Sequence, residues 1–493
     1  MQSALGYDPI IRGSVSAMCR SFVDVLDGDL LGGREVIEAA GRDMGRVCQG
    51  FPAAVLRPGS ADDVARTIGR CADLRVPVAA QGAGHTVHGQ RLALGGVAID
   101  MTVLDRVVRI DPRGRWAEVE AGILWADLVP QLYARGLRFA GGHTGYLGLS
   151  VGGTLTVGGI SNQPGVGAQV DSVEALQVAT GTGELVWCSP EQHRRLFDSA
   201  LAGLGQVGVI TRARLTLEPA QPLVWRAVVP FTDQQEGLHA LRHAASSGRF
   251  DEVYAMVMPS RGREPMTTNL HLAVYEDHPA ADHTASVEMI IREACGTTRT
   301  QPENRIHGRG VVCWLDHITS ITSIIDAWIA RRKWADTIKI WLDVFLPGTT
   351  ADRIIPDQLT ALGADDWHPD GLSFVLVFPH DSAKFTRPRL RLPQHRRNQP
   401  PRPGELTLLF DVLRAAPADS GRDYIDRTLR RTAEAADDLE QTADATIYPI
   451  GSRPLTPSHW RTHYGDSWPE VAAGLAEFDP AAILTPGFGI PRT

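Results

Sequence analysis

The segment Gly82-Ala83-Gly84-His85-Thr86-Val87-His88-Gly89-Gln90 sits between two strand-like runs, Arg75-Val76-Pro77-Val78-Ala79-Ala80 and Gly96-Val97-Ala98-Ile99-Asp100-Met101. A short glycine-rich loop leaving a strand lets backbone N–H groups come close to an anionic ligand. A histidine in its middle adds an imidazole to that approach. Alone, the same residues also describe a tight turn with a surface histidine, since short glycine motifs are weak signals. The flanking sequence decides between the two.

From Pro52 the chain alternates strand and helix patterns. Ser60-Ala61-Asp62-Asp63 has the form of a capping box and opens a helix through Leu74. Strands are predicted at 76–80, 97–101, 106–110 and 116–120, and a helix over Leu124–Arg135, where apolar residues recur every three or four positions. Glu174–Thr180 and Glu184–Trp187, joined by Gly181-Thr182-Gly183, read as a hairpin. Ser189-Pro190-Glu191-Gln192 supplies a cap and a proline for the next helix. Residues 1–50 read as mainly helical, around Val36–Ala40.

Near Pro219–Pro222 the texture changes. Strands at Tyr254–Met258, Leu270–Tyr275, Ile338–Phe345, Ser373–Phe378 and Leu406–Val412 lie between long helices, which suggests an antiparallel sheet backed by helices. Lys384–Arg402 holds seven basic residues, four prolines and no acid. It reads as an extended, solvated loop, with an anion-binding loop as the other reading. From Thr446 the first texture returns.

A chain of 493 residues is too long for one core and implies two or three domains. The net charge of -8 gives no electrostatic reason to expect nucleic acid or an anionic membrane as a partner. Met1–Phe22 lacks the apolar run of a secretory signal, and no segment has the ~20 apolar residues of a bilayer span. Six scattered cysteines without a Cys-x-x-Cys spacing argue against a zinc site or a disulfide scaffold and fit reduced thiols in a cytoplasm. Cys71 and Cys188 read as small core residues. Frequent alanine, arginine and proline with few lysines give a bacterial flavour.

Gly203-Leu204-Gly205-Gln206-Val207-Gly208 matches the dinucleotide fingerprint G-x-G-x-x-G. That motif works only when a strand precedes it and a helix follows, so that the helix N-terminus faces a pyrophosphate. Here a helix (Arg194–Leu201) precedes and a strand (Gly208–Leu217) follows, so a Rossmann site is rejected.

Val55-Leu56-Arg57-Pro58-Gly59-Ser60, the Gly-Ala-Gly-His-Thr loop, Leu149-Ser150-Val151-Gly152-Gly153-Thr154-Leu155 and the run Gly203–Glu218 together resemble the vanillyl-alcohol-oxidase-type flavoproteins. Trp341-Leu342-Asp343-Val344-Phe345-Leu346-Pro347 and the run Phe478–Gly487 resemble their cytokinin-dehydrogenase-like branch. The resemblance implies an α+β fold: a PCMH-type FAD-binding domain of two α/β subdomains, plus a substrate domain of antiparallel sheet with helices. The FAD domain would comprise residues 1–222, with its core at about 50–222, completed by 445–493. The substrate domain would be 223–444.

In that family the loop histidine, here His85, is bonded covalently to FAD. A second, cysteinyl bond found in some relatives would fall on Tyr146, so one link is expected. The resemblance places the pyrophosphate against Gly82, Ala83, Gly84, His85 and Thr86 and the Ser150–Thr156 segment, including Ser150, Gly153 and Thr156, with Gln90 alongside. Val209 and Ile210 match a segment along the adenine half. Thr485 matches a hydroxyl position, while Phe488 stands where the family has a flavin-contacting glutamine.

Two departures matter. The family's catalytic aspartate falls on Gly145 in His143-Thr144-Gly145-Tyr146-Leu147, and a second acidic substrate contact falls on Tyr254. Oxidation of cytokinin itself is therefore not expected. Conversely, the family's Trp-Leu-Asn is Trp341-Leu342-Asp343, and residues 341, 343 and 345 share one strand face. Asp343 is then either the replacement base or a solvated or paired strand residue. Tyr254, His143 and Tyr448 are the other catalytic candidates; His143 reads first as a hydrogen-bonded loop residue, and Tyr448, in Ile447-Tyr448-Pro449, resembles a family segment in which tyrosine lies near the flavin, so it is also a cofactor contact. Gly145 and Trp341 would border the substrate.

The expected activity is that of an FAD-dependent oxidoreductase. It would take a hydride from a C–N or C–O carbon of a small to medium organic substrate and pass electrons to oxygen or another acceptor, with no metal. The alternative is a flavin-dependent cyclase or isomerase without net redox.

Overall fold

The computed structural model describes residues 25–143, 145–259, 266–278, 282–295, 305–396 and 399–492. Part of the expected N-terminal helical stretch (1–24), Thr144 and residues 397–398 of the basic loop lie outside them. Among the described residues no helix is long and apolar enough to cross a membrane.

The first sheet has four strands, β1 (Asp29–Leu31), β2 (Ala54–Arg57), β3 (Val78–Gln81) and β4 (Val97–Asp100), in the order β1-β2-β4-β3. β2, β4 and β3 run parallel, which requires crossovers, and α2 (Ala61–Leu74) supplies the one between β2 and β3. Its apolar stripe of Val64, Ile68 and Cys71 is buried with Leu56, Val78 and Val97. Ser60 caps it by accepting from the Asp63 N–H at 3.3 Å. Asp63 does not complete a box on Ser60; it accepts from the N–H groups of Gly59, Gly28 and Asp27 at 2.9, 2.8 and 3.0 Å. That ties the chain entering β1 to α2. The expectation of a mainly helical 1–50 is corrected here: within the described part, only α1 (Arg34–Ala40) is helical and 29–31 form a strand. The backbone ladder of β1 against β2 outweighs weak local propensity.

The second sheet is antiparallel: β5 (Val107–Asp111), β6 (Trp116–Glu120), β7 (Leu137–Phe139), β8 (Val173–Thr180), β9 (Leu185–Cys188) and β10 (Gly208–Pro219), in the order β5-β6-β10-β8-β9 with β7 also on β10. The hairpin forms as the sequence predicts, with Val178 opposite Val186. Three helices, α3 (Trp125–Tyr133), α4 (Val151–Val157) and α5 (Arg194–Ala200), bury Trp125, Leu128, Leu155 and Phe197 in a core with Val119, Leu176 and Leu215. The Ser189 expectation is corrected. Its hydroxyl accepts from Glu191 N–H and Gln192 N–H at 3.2 and 3.1 Å, closing a turn that does not run into the helix. α5 starts only at Arg194, after His193 at φ 51°.

The third sheet has eight antiparallel strands: β11 (Leu223–Phe231), β12 (Glu252–Met258), β13 (Thr267–Glu276), β14 (His307–Cys313), β15 (Ile338–Pro347), β16 (Phe374–Asp381), β17 (Leu406–Ala416) and β18 (Thr446–Ile447), in the order β14-β11-β13-β12-β16-β17-β15-β18. Period-2 alternation gives it two apolar faces. One face, with Val229, Val253, Leu272, Leu342, Val344, Val375 and Phe410, packs on α6 (Gln234–Ser246), α7 (Thr284–Cys295), α9 (Gly348–Thr360) and α11 (Arg422–Thr442). The opposite parity puts Phe345, Leu409 and Tyr275 into the core of the second sheet. α8 (Trp314–Arg332) joins β14 to β15 through a short connection.

The basic stretch 384–402 is not a solvated loop over its first part. Leu390 and Leu392 are buried, alternating with the buried Arg389 and Arg391. The Arg389 guanidinium donates to Ser199 Oγ and the Glu470 carbonyl at 3.0 Å each, and that of Arg391 donates to Ser467 Oγ at 2.9 Å. The leucines drive the segment inward, and hydroxyl and carbonyl acceptors satisfy the charged heads. It leads into α10 (Pro393–Arg396). α12 (Pro457–Tyr464) and α13 (Trp468–Phe478) follow, after which the chain returns to the first sheet. Val78 N–H donates to the Ile483 carbonyl and Thr485 N–H to the Val78 carbonyl, both at 2.8 Å.

Candidate functional site

The glycine loop leaves β3 and is held from outside by Asp43. This buried carboxylate accepts from Gly89 N–H at 2.6 Å, Thr86 Oγ1 at 3.1 Å and Arg46 N–H at 3.2 Å. Met44 N–H and Gly45 N–H reinforce the brace by donating to the carbonyls of Gly84 and Thr86 at 3.1 and 3.2 Å. Gly82 and Gly84 are required by close approach. A Cβ on Gly82 would collide with Ser150 Oγ, and one on Gly84, at φ 81°, with the Arg91 guanidinium. A Cβ on Gly153 would stand 2.8 Å from the same Ser150 Oγ, so two bare backbones converge there. Arg91 donates to Gln81, and its buried Nε has no partner.

His85 lies 5.1 Å from the Tyr146 ring, centroid to centroid. Burial lowers its pKa to about 4, so the imidazole is neutral at neutral pH, and its buried Nδ1 has no hydrogen-bond partner.

The opposite wall comes from β15. Asp343 is 2 % exposed and faces Asp411 of β17 directly across the antiparallel pair, itself 6 % exposed. No donor reaches either Asp343 oxygen or Asp411 Oδ1. Burial raises both carboxyls well above the usual carboxylate range, and the charge of Asp343 raises Asp411 further. A small cavity opens here, lined among others by Trp341, Asp343, Tyr448, Gln90, His88 and Phe488. Gly451 backs it: a Cβ there would stand 2.5 Å from Asp343 Oδ2. Tyr448 packs on Phe345 at 5.4 Å between ring centroids, and its hydroxyl accepts from Gly159 N–H at 3.3 Å. Burial raises its pKa, so it keeps its proton.

Gln90 bridges loop and cavity. Its amide donates to the Gly451 carbonyl at 2.9 Å and its oxygen accepts from His88 N–H at 2.9 Å, so both ends are engaged within the protein. Thr156 Oγ1 donates to the Gly152 carbonyl at 2.7 Å. Val209 and Ile210 are buried on β10, and Thr485 Oγ1 closes on the Gly205 carbonyl at 2.9 Å.

His143 and Tyr254 do not line the cavity that holds Asp343. His143 is buried against Trp125 and Phe139, neither ring nitrogen has a partner, and burial lowers its pKa to about 3. Tyr254 stacks on His271 at 4.4 Å. Gly145 lies under α8: a Cβ there would meet Ile321 Cγ2 at 3.4 Å.

The sequence reading missed Asp43, Arg91, Asp411 and Glu252. Glu252 shares the strand face of Tyr254; it meets His317 Nε2 at 2.9 Å, Asn162 Nδ2 at 2.8 Å and the Tyr275 hydroxyl. A lone acid inside the apolar run Leu406–Val412 was a usable signal for Asp411. The others needed tertiary contacts.

These residues fit a bound flavin nucleotide. The orphaned Nδ1 of His85, the unpartnered Nε of Arg91 and the cradle of Gly82 and Gly153 lie on the loop and helix that would receive it.

Comparison with known proteins agrees. Residues 52–189 match the family described as an FAD binding domain, and residues 330–491 the one described as cytokinin dehydrogenase 1, FAD and cytokinin binding. Cytokinin dehydrogenase 8 of Oryza sativa subsp. indica is 31% identical over 94% of this chain and 94% of its own. Cytokinin dehydrogenase 4 of Oryza sativa subsp. japonica is 30% identical over 91% of this chain and 88% of its own. An uncharacterized oxidoreductase of the fasciation locus of Rhodococcoides fascians is 28% identical over 92% of this chain and 96% of its own. With its glycine–histidine loop set against an antiparallel sheet, the chain belongs to the PCMH-type FAD-dependent oxidoreductases, in their cytokinin-dehydrogenase-like branch.

Proposed function

We propose that this oxidoreductase holds FAD through a single covalent bond to His85 and oxidises a C–N or C–O carbon of a small to medium organic substrate of specialised metabolism, other than cytokinin. The observation that carries this reading is an exchange of acids: Gly145 has no carboxyl, while the buried Asp343 presents one to the cavity. When bound, the flavin supplies the hydride acceptor and delivers the electrons to oxygen or another acceptor.

A neutral His85 with a free Nδ1 has the lone pair that covalent attachment needs. Gly82, Ala83, Gly84 and Thr86 offer backbone N–H groups to the pyrophosphate, with Ser150, Gly153 and Thr156 on its other side and Arg91 as the countercharge. Val209 and Ile210 lie toward the adenine half, and Thr485 fixes the returning chain there. Gln90 acts indirectly, by tying the loop to Gly451.

Asp343 takes the amine or hydroxyl proton of the substrate as hydride leaves the carbon. Trp341 borders the substrate beside it. Tyr448 stays protonated and positions the 447–451 segment. His143, enclosed by Trp125 and Phe139, and Tyr254, stacked on His271, take no part in the proton transfer. The absence of a carboxyl at Gly145 also favours a second reading, a flavin-dependent cyclase or isomerase without net redox.

Two measurements on the purified protein test this. Yellow colour kept in an acid-precipitated pellet supports the covalent bond, and colour released to the supernatant removes it. Anaerobic bleaching of the flavin by an amine or alcohol, but not by a cytokinin, supports the oxidoreductase reading. Product formed with no acceptor consumed selects the cyclase or isomerase.

A further inference from the structure

We infer that Asp411 is a positioning residue for this site: it keeps its proton and donates a hydrogen bond through it to Asp343, so that Asp343 is the carboxyl that ionises and receives the substrate proton. This rests on the reading of Asp343 as the base.

The register carries the inference. Asp343 and Asp411 are directly opposed on β15 and β17, a placement that sets Cβ atoms about 4.5–5.5 Å apart. Both are buried, and no N–H or O–H donor reaches either Asp343 oxygen or Asp411 Oδ1. Two carboxylates so placed cannot both ionise, and one proton between them becomes their shared hydrogen bond.

The surroundings offer no substitute for that proton. On the same face of β15, Lys339 is committed to the carbonyls of Trp334 and Thr337 at 2.5 and 2.9 Å. On the cavity wall, Arg453 pairs with Asp437 and Glu440, and Tyr448 accepts from Gly159. His88, also on that wall, is held toward its neutral form by burial. From α10, His395 accepts from Leu392 N–H at 3.0 Å and is likewise held neutral by burial. β16 presents Leu376 opposite Asp411, and β18 presents Ile447 opposite Val344.

The two carboxyls are not equivalent. Asp343 lines the cavity and Asp411 does not. Asp343, the member that meets the cavity, is the one placed to exchange its proton with a substrate, and Asp411 keeps its own. In turnover the substrate N–H or O–H bond breaks and its proton goes to an Asp343 oxygen, as the C=N or C=O bond forms and the hydride of the adjacent C–H bond leaves to the acceptor that a bound flavin would supply. The Asp411 proton stays on Asp411, and its hydrogen bond keeps the Asp343 carboxylate available within a dry site.

The test uses the holoprotein, and its readouts on Asp411 need no substrate. Infrared titration follows the carbonyl stretch of protonated carboxyls, and flavin absorbance against pH follows the ionisation of Asp343. The wild type is expected to keep a protonated-carboxyl band at pH values where Asp343 has ionised, and Asp411→Asn to lose it. Asp411→Leu removes the donor and moves the flavin-absorbance midpoint up by at least about one pH unit. Asp411→Asn, which still donates an N–H, leaves that midpoint near the wild-type value. A wild type without the persistent band overturns the inference, as does a midpoint unmoved in Asp411→Leu. If Asp411→Leu fails to fold, the band lost in Asp411→Asn decides. Asp343→Asn with an undiminished rate of substrate-driven bleaching removes the base reading alone, because the band reports on Asp411 independently.

Discussion

The rings of His85 and Tyr146 lie 5.1 Å apart, inclined at 49° to each other, so Tyr146 covers one side of the imidazole proposed to carry the flavin. The clamp and the bond are separable. His85→Ala should release all flavin to the supernatant on acid precipitation. Tyr146→Phe, which keeps the ring contact, should retain colour in the pellet. Absorbance of the two fractions reads both.

Asp43 is the outside support of the same loop. Asp43→Ala leaves Gly89 N–H, Thr86 Oγ1 and Arg46 N–H without their acceptor. A buried donor stripped of its partner costs about 1–3 kcal/mol, so the variant should be destabilised by at least that amount in denaturant unfolding. Its flavin content at purification should fall in parallel.

At Gly145 a side chain has room: a Cβ meets Ile321 Cγ2 at 3.4 Å, ordinary van der Waals contact. Gly145→Asp therefore should fold, and it puts a carboxyl where the resemblance implies that the family's catalytic aspartate falls. Anaerobic flavin bleaching by a cytokinin should appear in the variant and be absent from the wild type. No bleaching in either would mean that the rest of the pocket also excludes that substrate.

Gly451 gives the converse experiment. A Cβ there would stand 2.5 Å from Asp343 Oδ2 and 3.0 Å from the Trp341 carbonyl. Gly451→Ala should push Asp343 off its position at a cost of about 1–3 kcal/mol, as overpacking does. Substrate-driven bleaching should slow by more than the loss of thermal stability explains.

The pH dependence of stability should have two limbs of opposite sign. His85, His143, His271 and His380, depressed by burial to about 4, 3, 4 and 4, bind fewer protons folded than unfolded below their ordinary pKa of 6.5. Their contribution is present above 6.5 and is lost as pH falls through the depressed values. Asp343 and Asp411 are raised, so the folded state binds more protons than the unfolded chain above the ordinary carboxylate range. Their contribution is present at low pH and is lost as pH rises through the raised values. Thermal unfolding across pH should show a maximum between the limbs, and Asp343→Asn should flatten only the alkaline one.

Much of this architecture was legible in the sequence because the signals were local. The 174–188 hairpin, the cap at Ser60 and the parity of Trp341, Asp343 and Phe345 follow from period and turn chemistry. The glycine loop announced itself through residues that leave no room for a Cβ. What stayed hidden depended on register. Asp411 is one acid among apolar neighbours until β17 is laid against β15, and nothing near it in sequence sets that alignment. The buried strap at 387–392 was misread because its arginines outnumber its leucines, while burial was decided by hydroxyls and carbonyls over 80 residues or more away in the chain, such as Ser199 and Glu470. Glu252 was hidden by its own neighbour, since Tyr254 took the aligned position two residues on.

The bonds joining Val78 to Ile483 and Thr485 set an order of events during synthesis. Gly487 also packs against the Gly89 and Gln90 carbonyls, so close that a Cβ would not fit. A nascent chain therefore carries the complete glycine–histidine loop for hundreds of codons before the segment that closes over it has left the ribosome. Cofactor capture becomes a late event, and a stop codon at position 483, which removes everything from Ile483 onward, would leave a long, largely folded polypeptide with an open nucleotide cleft.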